Sequence, residues 1–326
     1  MTTRPLPLED YALLDDAVCA ERIRAAKAQL GDQCVVLGHH YQRDEVFAHA
    51  DLTGDSLRLS REAAASGAKY IVFCGVHFMA EVADILSRPD QIAILPDLAA
   101  GCSMADMANR AAVEKAWEEI STVLDPDALI TPVTYINSAA DLKAFCGRHG
   151  GIVCTSSNAR DILEWSFARR EKVLFFPDQH LGRNTGYRMG IPLDAMVTWD
   201  FSKPLGGLTP EEIRNARMIL WKGFCSVHQV FQPTHIDRFL EQHPDTKVIA
   251  HPECAFEICE KADVIGSTEF ILKTVRASEP GTRWLVGTEL NMVNRLADEM
   301  RPKGVEVHFM SPTVCMCSTM FRTDPQ

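Results

Sequence analysis

The segment Ile94-Leu-Pro-Asp-Leu-Ala-Ala-Gly-Cys-Ser-Met104 gathers much chemistry into a short span. Its apolar start, Ile92–Leu95, reads as the end of a buried strand, Pro96-Asp97 as a turn, and Gly101, Cys102 and Ser103 as the entry to a helix. Gly101 lacks the Cβ that would keep a ligand off the backbone. A thiolate at Cys102 would face helix N–H groups, which favour its charge. A single cysteine in a tight turn is more often a small half-buried hydrophobe, so the weight of the reading rests on what stands at comparable turns elsewhere.

Such turns are frequent. His39, His40 and Tyr41, then Asp55 and Ser56, Tyr135 and Asn137, Thr155, Ser156 and Asn158, Cys225 and His228, His251 and Glu253, Ser267 and Thr268, and Glu289 all fall at polar ends of apolar runs. Cys315 and Cys317 lie in the C-terminal tail. Cys34, Cys74 and Cys154 are in or at the end of apolar runs and read as core, whereas Cys19 and Cys146 read as helix residues. The donors are scattered, unlike a Cys-x-x-Cys ribbon or a ferredoxin run. Three well-separated thiolates suit one [4Fe–4S] cluster with an iron that has no protein ligand; such an iron is a Lewis acid toward a hydroxyl or carboxylate. Spacing alone does not select three of the eleven cysteines.

The elements that must position these residues are legible in the patterning. A helix over Ala20–Leu30 stops at Gly31, and Cys34–Leu37 is an all-apolar strand running into Gly38-His-His-Tyr-Gln42. A helix over Asp55–Ser66, a strand over Lys69–Cys74, a helix from about Met79 and the strand Ile92–Leu95 follow. Repeated strand–turn–helix units predict an α/β domain with a parallel sheet, which binds ligands beyond the carboxyl ends of its strands. The pattern recurs in Ala128–Asn137, Gly151–Asn158 and Val173–Asp178, then in Val248–Glu253, Val264–Thr268, Trp284–Glu289 and Val305–Phe309. Ile71-Val-Phe-Cys and Ile152-Val-Cys stand 81 residues apart, as do Pro96-Asp97 and Pro177-Asp178. The third set follows the second at 111 to 112 residues. This predicts an internal repeat and three similar α/β domains, with residues 1–107, 108–203 and 204–326 as their bounds. Pro204 and Gly206-Gly207 would be a linker, and one shared site would form where the three sets of loops meet.

The chain has 326 residues, 46% of them hydrophobic, enough for two or three domains. A net charge of −11 with no Lys/Arg-rich run argues against nucleic acid or an anionic membrane as partner. Met1–Leu14 has no apolar signal core, and no apolar run reaches the length of a membrane span. The expectation is a cytoplasmic protein, whose cysteines are core residues or metal ligands rather than disulfides.

The motifs together resemble the quinolinate synthase family, iron–sulfur enzymes of de novo NAD biosynthesis. They are His39-x-Tyr41-Gln42, Gly54-Asp-Ser-Leu57, Val72-Phe-Cys-Gly-Val-His-Phe-Met-Ala-Glu81, Leu95–Ser103, Thr134-Tyr-Ile-Asn137, Cys154-Thr-Ser-Ser-Asn-Ala159, Pro177-Asp-Gln-His-Leu181, His251-Pro-Glu-Cys254, Gly266-Ser-Thr268 and Gly287-Thr-Glu-Leu-Asn-Met292. The resemblance implies three three-layer αβα domains with short parallel sheets around a pseudo-threefold axis and the active site at their common interface. It implies a transferase that condenses iminoaspartate with dihydroxyacetone phosphate to quinolinate, losing phosphate and water. A [4Fe–4S] cluster would be held by Cys102, by Cys225 of Cys225-x-x-His228 and by Cys317 of Cys317-x-x-Met320; the tail departs from the family in placing Cys315 beside the third ligand. Substrate contacts would fall on His39, Tyr41, Ser56, Tyr135, Asn137, Ser156, His228, His251, Glu253 and Thr268, with proton transfer at Tyr41, Tyr135, His251 and Glu253. A separate enzyme would supply the iminoaspartate.

The residue types match that chemistry. Hydroxyl, amide and imidazole donors near helix N-termini suit carboxylates and a phosphate. Imidazole, carboxylate and phenol groups can shuttle the protons of isomerisation, imine formation and dehydration. Glu253, desolvated in its loop, is expected to have its pKa raised toward neutrality. The competing readings are an aconitase-like hydro-lyase with the same open iron and a non-enzymatic iron–sulfur sensor or carrier. No basic recognition helix supports a sensor, and a carrier would ligate all four irons.

Overall fold

The computed structural model describes residues 10–314 and 316–326. Among them lie three sheets, all parallel. The first contains β1 (Cys34–His39), β2 (Leu52–Gly54), β3 (Tyr70–Cys74) and β4 (Ile92–Ile94) in the order β2-β1-β3-β4. The second contains β5 (Ile130–Tyr135), β6 (Ile152–Cys154), β7 (Lys172–Phe176), β8 (Met196–Trp199) and β9 (Met218–Trp221) in the order β6-β5-β7-β9-β8. The third contains β10 (Lys247–Ala250), β11 (Val264–Ile265), β12 (Arg283–Gly287) and β13 (Glu306–Phe309) in the order β11-β10-β12-β13. The fold is thus α/β with short parallel sheets flanked by helices. The sheets fall in two compact units, one running to Ala100 with Ser318–Gln326 added, the other Gly101–Cys317. No helix among the described residues is long and apolar enough to cross a membrane.

Parallel strands covered on both faces read as continuous apolar runs, and β5, β7 and β9 are buried along their whole length. Lys172 is tolerated there because its ammonium donates to the carbonyls of Arg214 and Ala216, at 2.5 and 2.7 Å. Trp117, Phe145, Phe176, Trp199 and Trp221 form the aromatic centre of the second sheet's core. Side-chain caps fix the helices that follow strand ends: Asp55 accepts from Arg58 N at 2.9 Å and Ser267 from Phe270 N at 3.3 Å.

The register corrects the predicted repeat. Leu37, Val133 and Ile249 pair with Leu52, Ile152 and Val264 on one side and with Phe73, Phe175 and Val286 on the other. So β3 corresponds to β7 and β12, and β6 to β2 and β11. The 111- and 112-residue spacings between second and third sets are therefore structural equivalences. The 81-residue match is not: it pairs an internal strand, β3, with an edge strand, β6. Apolar strands of similar composition are interchangeable to a pattern match, whereas hydrogen-bond partners are not. Pro204–Gly207, read as a linker, is instead a turn early in the crossover that leads from β8 through the helix Pro210–Asn215 to the parallel neighbour β9 within one sheet. Leu205, Gly206 and Gly207 there have φ of 50, 64 and 75°, and a Cβ on Gly206 would lie 2.4 Å from the Trp199 ring. Strands β2, β8 and β9 carry no periodic signal long enough to be read from sequence.

Candidate functional site

The same register organises the chemistry. Two residues past Leu37, Val133 and Ile249 stand His39, Tyr135 and His251; four past stand Tyr41, Asn137 and Glu253. Four residues past the partners Leu52, Ile152 and Val264 stand Ser56, Ser156 and Thr268. Three sheets thus present nine of the expected site residues at three equivalent positions. On the other side, the strands pairing β3, β7 and β12 include Ile94, Ile219 and His308, and Cys102, Cys225 and Cys317 follow these by six to nine residues.

Local geometry repeats as well. His39 Nδ1 accepts from Tyr41 N at 3.1 Å, and His251 Nδ1 accepts from Glu253 N at 3.3 Å. A ring nitrogen that accepts a backbone N–H leaves Nε2 to carry the proton in the neutral imidazole. Both loops therefore present an Nε2–H donor.

Within the second unit the structure brings Tyr135, Cys225, His228, His251 and Glu253 together. One donor atom each from Cys225, His228 and Glu253 lies within 4.8 Å of the others, a set able to hold a metal ion. His228 Nδ1 is 3.0 Å from Glu253 Oε2, its Nε2 is 3.3 Å from Thr288 Oγ1, and its ring stacks on His251 at 4.7 Å. His228, His251 and Glu253 are almost wholly buried. Burial alone would raise the Glu253 carboxyl, but the His251 and His228 rings and the Tyr135 hydroxyl outweigh it and hold the group below the ordinary carboxylate range. The expectation of a raised pKa is thereby overturned: desolvation is present, but donors already aimed at the carboxylate decide the sign. Burial lowers the His251 imidazole to about 3; the Glu253 charge works against that and the His228 ring adds to it, and burial prevails, so His251 is neutral at pH 7.

The three loop cysteines share this unit and are half-buried. The sulfur of Cys102 faces backbone N–H groups of Met104 and Ala105, as its place at the helix entry predicts, yet burial prevails and pushes the thiol up to about 12, with Cys317 and Glu253 adding to the rise. The Cys225 thiol is raised by burial, then by Glu253, Cys317 and Cys102. Trp221 Nε1 donates to Met107 O at 2.8 Å and Phe224 N contacts Met107 Sδ at 3.3 Å, tying the Cys225 loop to the segment after Cys102. Gly223 permits this path, since a Cβ there would lie 1.9 Å from Pro177 O. Cys317 N donates to Glu289 Oε1 at 3.4 Å. Cys315 lies outside the described residues. Cys74 and Cys154 are buried in strands and Cys19 and Cys146 in helices, as expected, while Cys34 is only half-buried.

Asn137, Ser156 and Thr268 sit at strand ends of the same unit. Ser156 lines a pocket of about 250 Å³ with Ser157, Arg160, Arg188 and Pro252, the residue between His251 and Glu253. His39, Tyr41 and Ser56 belong to the first unit, where the Tyr41 ring meets His39 edge-on at 4.8 Å and Ser56 opens the helix Ser56–Ala65.

Sequence reasoning overlooked two groups. Asp178 is fully buried, accepts from Leu181 N at 2.5 Å, and has its carboxyl raised well above the usual range by burial and then by the Glu253 charge. Thr288 bridges to His228. The signal that finds Asp178 is register: three residues past Phe73, Phe175 and Val286 stand Val76, Asp178 and Glu289.

Fold and site together define an α/β protein whose strand ends carry a buried imidazole–carboxylate centre beside convergent cysteines. Residues 21–326 match the family model described as Quinolinate synthetase A protein, and the chain belongs to that family. It is 57% identical over 98% of its length, and 83% of the relative's, to a quinolinate synthase of Rhodopirellula baltica. A quinolinate synthase of Acidobacterium capsulatum is 54% identical over 98% of this chain and 86% of its own, and one of Geobacillus thermodenitrificans 48% over 97% and 85%.

Proposed function

We propose that this chain is a cytoplasmic transferase that condenses iminoaspartate with dihydroxyacetone phosphate to quinolinate, releasing phosphate and water, and that Cys102, Cys225 and Cys317 hold a [4Fe–4S] cluster. The observation that carries the reading is the buried group of Tyr135, His228, His251 and Glu253 set against Cys225. The donor set fits such a cluster. Burial, Cys317 and Glu253 raise the Cys102 thiol, and burial, Glu253, Cys317 and Cys102 raise the Cys225 thiol, so several thiolates are unfavourable there unless a cationic centre sits among them. When bound, the cluster would supply Lewis acidity from an iron that the protein leaves without a ligand.

The chain's own groups divide the remaining work. Glu253, held ionised by His228 and Tyr135, is the base: it takes protons during isomerisation and ring closure. Tyr135 donates its hydroxyl proton to the Glu253 carboxylate in a hydrogen bond and so orients the base, and Tyr41, at the position that carries Glu253 in the third sheet, is a second phenol for proton transfer. His251, neutral and with its proton on Nε2, donates to a substrate carboxylate or to a hydroxyl leaving as water, and His39 has the same tautomer for the same reason. Asn137, Ser56, Ser156 and Thr268 supply amide and hydroxyl donors to carboxylate and phosphate oxygens at helix entries. Iminoaspartate is a reactive imine, so the reaction draws on an enzyme that produces it.

The test is anaerobic purification, iron reconstitution and assay of quinolinate from oxaloacetate, ammonia and dihydroxyacetone phosphate. Folded, iron-loaded protein that forms no quinolinate would overturn the reading. Dehydration of a small hydroxy acid by such protein, with no use of the triose phosphate, would favour the hydro-lyase instead.

A further inference from the structure

Glu289 stands at the start of the helix Leu290–Met300, completely buried. Its Oε2 accepts from Met292 N at 3.2 Å, and its Oε1 accepts from Asn291 Nδ2 at 3.1 Å and from Cys317 N at 3.4 Å. Glutamate is an unusual N-cap; Ser, Thr, Asp and Asn are preferred because a short side chain suffices to reach the N2 or N3 amide. Asp178, at the equivalent register position of the second sheet and one residue before the N-cap Gln179, also reaches a first-turn amide, with a shorter side chain. It bonds Leu181 N, and its second oxygen has no partner among the described residues. The extra methylene of Glu289 is thus not needed for capping. What it adds is reach, and the reach is spent on the backbone of Cys317. The tail from Ser311 to Cys317 has no helix or strand among its described residues to fix that cysteine.

We infer that Glu289 is a positioning residue for Cys317: its carboxylate caps a helix with one oxygen and with the other clamps the backbone amide of the third cluster thiol. The inference rests on the cluster reading above for its consequence, though not for its geometry. The helix anchors the clamp and the sheet anchors the helix, so the tail thiol is tied through Glu289 to the end of β12.

Glu289→Asp separates the two roles, since aspartate keeps the charge and the cap but falls short of Cys317. Two measurements read it. In the metal-free protein, alkylation of individual cysteines by iodoacetamide, followed by peptide mass, should show Cys317 modified up to about tenfold faster than in the wild type, the scale of one lost hydrogen bond. Cys102 and Cys225 should be unchanged. In the reconstituted protein, loss of iron to a chelator under anaerobic conditions should quicken by a similar factor, while the melting temperature stays near that of the wild type. Cys317 alkylated at the wild-type rate, or iron release unaltered, would overturn the positioning role. A lowered melting temperature with all three cysteines equally faster would make Glu289 a helix cap and nothing more. Wild-type protein that takes up no iron would refute the cluster reading instead, and the alkylation result would still decide whether Glu289 positions Cys317.

Discussion

Replacing Glu253 by glutamine keeps the shape of the side chain and removes its charge, which makes it the most informative single change. The carboxylate sits 3.0 Å from His228 Nδ1, bonds the Tyr135 hydroxyl and is almost entirely buried. Glutamine retains one carbonyl oxygen but turns the other acceptor into an NH2 group. The fold should therefore lose about 1.5–3 kcal/mol, the worth of one hydrogen bond to a charged group. Catalysis should suffer more. A general base contributes about a hundredfold or more, or roughly 2.7 kcal/mol of barrier at 1.36 kcal/mol per tenfold. The assay is quinolinate formation by anaerobically reconstituted protein, with iron content and calorimetric binding of quinolinate measured on the same sample. Iron should remain full, binding near normal, and turnover at least about a hundredfold down. Because the carboxyl is held below its ordinary range, the wild type should show no acid limb from this residue near neutrality, and the deficit should hardly vary with pH there. Normal turnover, or a loss traced to missing iron, would refute the base assignment and leave Glu253 a structural or metal-holding residue.

Cys102→Ala, Cys225→Ala and Cys317→Ala should each abolish the iron content of anaerobic protein, whereas Cys34→Ala and Cys74→Ala should retain it; a full iron load in the Cys102 variant would defeat the ligand assignment. Asn137→Ala removes a donor at the strand end, so a dicarboxylate product should bind more weakly by about 1–3 kcal/mol, seen by calorimetry, with the cluster intact. Acidification tests His251, whose folded pKa of about 3 lies below the unfolded value of about 6.5. Its contribution to stability is complete above the unfolded value and is lost as pH falls, because the unfolded chain then takes up a proton that the folded chain refuses. His180, lowered to about 4 by burial, slopes the same way, while burial raises Asp178 and Glu289 and gives them the opposite slope. The difference between wild type and His251→Gln therefore carries the test: urea midpoints should fall less steeply in the variant between about pH 7 and 5, and parallel curves would contradict a neutral buried His251.

Much of the fold was legible because parallel strands buried on both faces leave unbroken apolar runs, such as Cys34–Leu37 within β1 or Val173–Phe176 within β7, and because glycine and capping residues punctuate the helices. The short strand Leu52–Gly54 and the pair β8 and β9 were not legible, since three or four residues carry no period and their place is set by hydrogen-bond partners far off in sequence. Site residues were visible as polar residues at strand ends, but their electrostatics were not. Desolvation of Glu253 could be foreseen from its buried loop; the Nδ1 of His228, 25 residues earlier, could not. Likewise the helix N–H groups at Cys102 were foreseen, while the burial that overrides them depends on the packed whole.

Register converts these observations into one physical account of how the sheets specialise. Each supplies the same backbone positions beyond its strands, so changing a side chain there alters chemistry at little cost to the fold. At one position the sheets carry His39, Tyr135 and His251; at another Tyr41, Asn137 and Glu253; at a third Ser56, Ser156 and Thr268. The hydroxyl position hardly varies, which suits a repeated task of holding anionic oxygens. The second position varies most, from phenol to amide to carboxylate, and the base role proposed for Glu253 falls there. Only in the third sheet does a carboxylate stand at that position, and it is that loop whose backbone N–H also sets the tautomer of its histidine. On the proposed reading, an ionised Glu253 and a neutral His251 with its proton on Nε2 would be a base and a donor fixed by one two-residue turn, so a substitution that moved the turn should disable both together, whereas Glu253→Gln should disable one.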